Sequence, residues 1–272
     1  MNRLVIIGNG FDMAHGLRTS YMDFINWYWD QRVYGFIGNT TNVSQDCLCK
    51  LVIKETGDFS CWNVFAASNS YFFKDLYQKE RYSGSEVFQE IKQHPETFMV
   101  ECSPFFETIL QSIESKGWVD IENDYYQLLK DSINNPRCEY TITGLNQQLA
   151  FIQSELVEYL STIKEGEYKS EYQKAITDYF NPDDFSTEGR VRALDNMGLD
   201  FDRPYDKQYF QEEHEKLAPE RIMLLSFNYT KTAQLYGGSN VVHNYIHGGL
   251  TRPETIIFGY GDELDLNSAT LL

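Results

Sequence analysis

The chain has 272 residues, 42% hydrophobic and 15% aromatic, enough for one large packed domain or two small ones. Its 40 acidic residues against 23 basic ones leave a net charge of −17, which argues against a protein that coats nucleic acid, because neutralising phosphates takes lysine and arginine gathered on one face. Five cysteines, at positions 47, 49, 61, 102 and 138, form no Cys-x-x-Cys pair and no even disulfide ladder, and no run of about 18 apolar residues occurs, so a reducing cytoplasm and no membrane span are expected.

In chain order, the first signal is "LVII" at residues 4–7, three of its four residues β-branched, which reads as a short parallel strand buried on both faces. It is too short for the apolar core of a signal peptide, and Asp12 follows soon after. The strand stops at Gly8-Asn9-Gly10, followed by Phe11 and Asp12. Glycines at such a turn let backbone approach a ligand, and strand, Gly-x-Gly and helix in succession can dock a phosphate on free N–H groups. The full dinucleotide fingerprint is incomplete, since Met13 stands where the third glycine belongs. A plain tight turn after an edge strand is the other reading.

Thr19 and Ser20 then precede Tyr21, Phe24, Trp27 and Tyr28, with Asp23 placed for a capping box, so a helix with an aromatic core face is expected. From residue 35 to 220 the pattern is mostly helical. One helix starts at Ser103-Pro104, another covers residues 120–133, and a third carries Leu145, Leu149, Ile152, Leu156 and Leu160 on one face. Residues 45–98 give no clear assignment. Strand patterns return at 222–227, 241–246 and 255–258, followed by "NYT" at Asn228, "HGG" at His247 and "GYGDE" at Gly259. If these strands join residues 4–7 in one parallel sheet, their carboxyl ends share the edge where open α/β sheets bind ligands. The expected architecture is therefore α/β: a Rossmann-like, mostly parallel sheet from residues 1–34 and 221–272, with a large helical insertion at 35–220.

A ligand cradled at Gly8 to Asp12 would meet Asn228 and His247, a pair suited to cleaving a nicotinamide–ribose bond. Nicotinamide leaves as a neutral group, so the site needs to stabilise an oxocarbenium-like centre, orient a water and accept a proton. Asn228 can orient but not titrate, and His247 is the side-chain type that changes charge near neutral pH. Structural readings stand beside these: His247 as a hydrogen-bonded residue after a strand, Asn228 as the cap of a helix starting at Tyr229. His243 and His247 on one strand would be about 13 Å apart, too far for a shared metal, and no metal is expected.

"LVIIGNGFDMAHGLRTSYMDF", "GWVDIE", "LLSFNYTKTAQLYG" and "IHGG…IIFGYGDE", occurring in that order, resemble the AbiH family of bacterial abortive-infection proteins against phage. The resemblance covers both ends and one point in the middle; members are commonly longer, so a C-terminal part is expected beyond Leu272. AbiH proteins are in turn similar to sirtuin-like domains, which implies NAD as substrate or ligand. On that resemblance Gly8, Asn9 and Gly10 match the nucleotide loop, Asn228 the ribose- or water-positioning asparagine and His247 the base. Thr230 departs from the usual aspartate, and the absence of a four-cysteine zinc pattern points to NAD hydrolysis instead of deacylation. In "GWVDIE", Asp120 reads as a helix cap over Trp118, with Glu122 as a ribose contact on the family pattern. The nucleotide contacts implied are thus Gly8, Asn9, Gly10, Phe11, Asp12, Thr19, Glu122, Thr230 and Gly248.

The resulting expectation is a cytoplasmic phage-defence effector that hydrolyses NAD to nicotinamide and ADP-ribose, with a nucleotide as its small-molecule partner and control by homo-oligomerisation or by a phage or defence protein. Two other readings differ in kind. One is a nucleotide-sensing binding module that acts through a protein partner without chemistry. The other is a metal-dependent nuclease toxin using Asp262, Glu263 and Asp265, for which a basic nucleic-acid track is missing.

Overall fold

The structure, a computed structural model, describes residues 1–37, 42–54, 83–116, 121–135, 138–212 and 217–257. In chain order its elements are β1 (Asn2–Ile7), α1 (Asn9–Ala14), α2 (Tyr21–Ile37), β2 (Val43–Gln45), β3 (Cys49–Ile53), α3 (Gly84–Gln93), β4 (Phe98–Cys102), α4 (Pro104–Lys116), α5 (Ile121–Asn134) and α6 (Ile142–Thr162). There follow α7 (Ser170–Thr177), α8 (Thr187–Asn196), α9 (Pro204–Glu212), β5 (Arg221–Ser226) and β6 (Val241–Tyr245). Two compact units result, one of residues 1–17 with 164–256, the other of 18–163 with 257–272. No helix among the described residues is long and apolar enough to cross a membrane.

The first unit is built on a parallel sheet of order β1-β5-β6, so the chain is α/β with the expected Rossmann-like parallel arrangement. Parallel neighbours need a crossover, and between β5 and β6 residues 227–240 supply one with a single 3-10 turn, Thr232–Leu235, where a helix usually stands. One face of the sheet is covered: Ile7, Ile222 and Leu224 pack with Ile176 of α7, Ala233 and Tyr236. The other face is open. Leu4 is 57% and Ile6 68% exposed, which corrects the expectation of a strand buried on both faces. The alternation is the period of two that a half-covered strand shows, written here entirely in apolar residues.

The strand expected at 255–258 does not form. Pro253, which has no N–H for a ladder, opens a 3-10 turn over Pro253–Thr255, Ile256 N–H closes back on the Pro253 carbonyl (3.1 Å), and Phe258 lies outside the described residues. A bridge between Gly249 and Arg252 has already turned the chain out of the direction of β6.

In the second unit the capping box before α2 is present: Asp23 N–H donates to Ser20 Oγ (3.1 Å) and Ser20 N–H to Asp23 Oδ2 (3.3 Å). Phe24, Tyr28 and Trp29 of α2 are buried, and the Trp29 ring stacks on Phe88 of α3 at 3.6 Å. The helices expected at Ser103-Pro104, at 120–133 and through Leu145 to Leu160 appear as α4, α5 and α6. The unassigned stretch holds strand β3, which pairs with β2 at the start of that stretch and β4 at its end in an antiparallel sheet of order β2-β3-β4.

Candidate functional site

The carboxyl ends of the parallel strands lie side by side, because the register pairs Ile7 with Ser226 and Ser226 with Tyr245. The residues that follow each strand must then meet along one edge, where open α/β sheets take ligands. Gly8 caps α1 in an extended conformation, and its carbonyl accepts from Phe11 N–H (2.9 Å) and from Asn228 Nδ2 (3.0 Å). The Asn228 amide thus ties the end of β5 to the turn after β1. No α-helix begins at Tyr229; the side chain that was expected to cap one spans the two strand ends instead.

Asp12 turns inward from α1 and is 1% exposed. Its Oδ2 accepts from Thr230 Oγ1 (2.7 Å), which lies 3.1 Å from Thr232 Oγ1. Its Oδ1 is buried with no hydrogen-bond partner among the described residues. Burying a carboxylate oxygen without a donor costs free energy, which a hydroxyl or amide donor brought to this atom would offset. The carboxylate that Thr230 touches is delivered from the neighbouring strand end, by α1 after β1. Tyr245 faces the same cluster from β6. Burial pushes its hydroxyl pKa up, the Gln234 side chain offsets part of that, and the Asp12 charge adds to the rise.

His247 follows β6, with its ring 5.6 Å from Phe227 and 6.4 Å from Tyr229, the two neighbours of Asn228. Its Nδ1 is buried with no hydrogen-bond partner among the described residues. Gly248 has a structural reason to be glycine: φ is +75° and a Cβ would stand 2.1 Å from the Thr255 carbonyl oxygen. Beside these residues a groove of about 390 Å³ is lined by His243, Tyr245, Gly248, Gly249, Arg252 and Thr255. His243 does not open to a ligand through Nε2, which donates to the carbonyls of Ala233 (3.0 Å) and Tyr236 (2.8 Å).

Gly8 with Asn228 and Asp12 with Thr230 therefore form two hydrogen-bonded pairs, and His247 packs on the residues flanking Asn228. Asn9 and Gly10 are exposed at the start of α1, and Phe11 packs into the core against His15, Tyr172 and Tyr236. Thr19, just before α2, and Glu122, in the first turn of α5, belong to the second unit. Trp118, Asp120, Asp262, Glu263 and Asp265 lie outside the described residues.

Sequence reasoning missed the layer beneath. His15 Nδ1 donates to the Phe11 carbonyl (2.7 Å), and its Nε2 is hydrogen-bonded with Tyr236 OH (2.5 Å). Tyr236 OH in turn accepts from Lys169 N–H (3.1 Å), and Lys169 Nζ donates to the Ala14 carbonyl (2.7 Å). This chain holds α1, and with it Asp12, in place. The signal was the helical spacing of Phe11 and His15 in "GFDMAHG"; their partner Tyr236 is 221 residues from His15 and carries no local mark.

No curated protein matches the chain, and no solved structure matches it. The family model described as "Bacteriophage abortive infection AbiH" matches residues 4–270, nearly the whole chain, and the chain therefore belongs to the AbiH family.

Proposed function

We propose that this abortive-infection protein acts by binding NAD at the carboxyl ends of β1, β5 and β6 and hydrolysing its nicotinamide–ribose bond. The observation that carries the reading is Asp12: a buried carboxylate with an unpartnered oxygen, bonded to Thr230 and next to a turn whose glycines leave open space. In this reading Asp12 Oδ1 accepts a ribose hydroxyl, in the role that aspartate near the asparagine has in the sirtuin-like pattern. Gly8 and Gly10, where a Cβ would meet nothing within 4 Å, leave room for the pyrophosphate. Asn228 Oδ1 orients the attacking water while Nδ2 stays on Gly8. As the C–N bond breaks, nicotinamide takes the bonding pair and leaves neutral. Water adds to the ribose carbon and its proton passes to His247, giving nicotinamide, ADP-ribose and a proton. Such an activity in the cytoplasm needs restraint before infection, through self-association or a phage or defence protein.

The test is incubation of the purified chain with NAD, with nicotinamide and ADP-ribose followed by chromatography. Wild type releases both. His247→Ala lowers the rate by about 10²–10⁴-fold while retaining NAD; Asn228→Ala and Asp12→Asn lose turnover as well. Neither release nor binding by a folded wild-type chain would overturn the reading.

A second reading has its own support: the Asn228 amide donor is spent on Gly8, a structural bond that a purely binding site equally uses. A nucleotide-sensing module acting on a protein partner would bind NAD, release nothing with any partner added, and lose binding on Asp12→Asn.

A further inference from the structure

In the second unit, Cys49 and Cys102 face one another across β3 and β4. The register pairs them directly and their Sγ atoms are 3.6 Å apart. The pair sits at a favourable point of the ladder. Ser103 N–H donates to the Leu48 carbonyl (2.7 Å) and Lys54 N–H to that of Thr97 (2.8 Å), which makes those the hydrogen-bonded pairs. Cys49–Cys102 is then a non-hydrogen-bonded pair, where Cα atoms stand about 4.5 Å apart, within the ~4.4–6.8 Å that a disulfide bridges.

The two thiols differ in access. Cys49 is 2% exposed, whereas half-buried Cys102 lines a groove of about 410 Å³ walled by Phe88, Ile91, Phe98 and Leu110, with Lys92 and Glu107 also on its lining. We propose that Cys49 and Cys102 form a redox dithiol that peroxide, entering by this groove, converts to an intrachain disulfide, with Cys102 as the attacking thiol and Cys49 as the resolving one.

The chemistry balances in two steps. The Cys102 thiolate attacks one peroxide oxygen, the O–O bond breaks, and Cys102 becomes a sulfenic acid as hydroxide leaves. Cys49 then attacks the Cys102 sulfur and loses its proton, expelling the hydroxyl as water. Two thiols are oxidised by two electrons and one peroxide is reduced to two waters. The electrostatics favour this order. The hydrogen bond with Cys49 draws the Cys102 thiol below its ordinary value, and Lys92 adds to that against burial and Glu107. Cys49 is pushed up, first by the same bond and then by burial.

The test exposes the reduced chain to hydrogen peroxide, caps remaining thiols with maleimide after unfolding, and maps peptides under non-reducing conditions. The expected result is loss of two thiols, a linked Cys49–Cys102 peptide pair two hydrogens lighter than its reduced parts, and recovery of both thiols with dithiothreitol. Dimedone added to Cys49→Ser should label Cys102, whose sulfenic acid has lost its resolving partner. The proposal is overturned if wild type keeps both thiols while cysteines elsewhere oxidise. It is equally overturned if folded Cys49→Ser is oxidised under the same conditions without a dimedone adduct on Cys102. Because Cys49 is buried, the wild-type map decides alone if that variant does not fold.

Discussion

Gly248 and Gly10 look alike in the sequence and are opposite in the structure. Gly248 sits at φ +75° with its missing Cβ 2.1 Å from the Thr255 carbonyl oxygen, so alanine there meets both left-handed strain and a backbone clash. Gly248→Ala is expected to cost about 3 kcal/mol or more, read as a lowered urea midpoint. Gly10 lies inside α1 with nothing within 4 Å of its would-be Cβ, so alanine relieves the entropy cost of a helical glycine. Gly10→Ala should therefore stabilise by roughly 0.5–1 kcal/mol. If the open side of that turn is where a nucleotide lies, the same variant loses NAD binding while gaining stability, a combination that a purely structural glycine does not produce. Equal destabilisation by both substitutions would show that the two positions are not distinguished as the geometry implies.

The helices of the second unit were legible because their signals are local. Ser20 and Asp23 lie three residues apart and close their own capping box, and Pro104 starts α4 as a residue without an N–H should. The antiparallel sheet was not legible, because β3 finds its partner β4 only after residues 54–97, and the turn before it depends on Asp46 Oδ1 accepting from Leu48 N–H (2.7 Å) and Cys49 N–H (2.8 Å). At the strand-end site Asn228 and His247 were readable as motifs, whereas the Asn228–Gly8 and Thr230–Asp12 bonds join residues more than 200 positions apart. One element contact makes a pH prediction. Tyr159 of α6 packs on Phe24 and Trp27 of α2, and its hydroxyl donates to the Arg18 carbonyl (2.5 Å). Burial, then the Asp23 charge, raise its pKa to about 12, from an unfolded value near 10. A tyrosine raised in the folded state contributes stability that is complete below pH ~10 and is lost as pH climbs toward 12. Between about pH 9 and pH 11.5 the urea midpoint of wild type should fall further than that of Tyr159→Phe; parallel falls would show that this hydroxyl does not carry the linkage.

Across the whole molecule, the net charge of −17 is not spread evenly. Residues 1–34 hold three arginines against three aspartates and residues 221–261 three bases against Glu254 alone, whereas residues 164–220, which share the first unit, hold fifteen acids against eight bases, and Glu165 pairs with Lys231 (3.6 Å). Charges interact over about 10 Å at 0.1 M salt, so a small dinucleotide at that edge would meet only the few charges beside the strand ends, Asp12 and the Lys231–Glu165 pair among them. A polynucleotide extends well beyond that distance and meets the field of a chain with a net charge of −17, with few bases to release its counterions. Size, not the presence of phosphate, should therefore decide what the chain accepts. NAD bound to the purified protein is expected to stay bound when RNA or DNA is added in large excess at physiological salt, and the polymers should show no retention of their own. Displacement of NAD by RNA, or retention that weakens steeply as salt rises, would instead place a basic track at the strand ends and move the reading toward a nucleic-acid substrate.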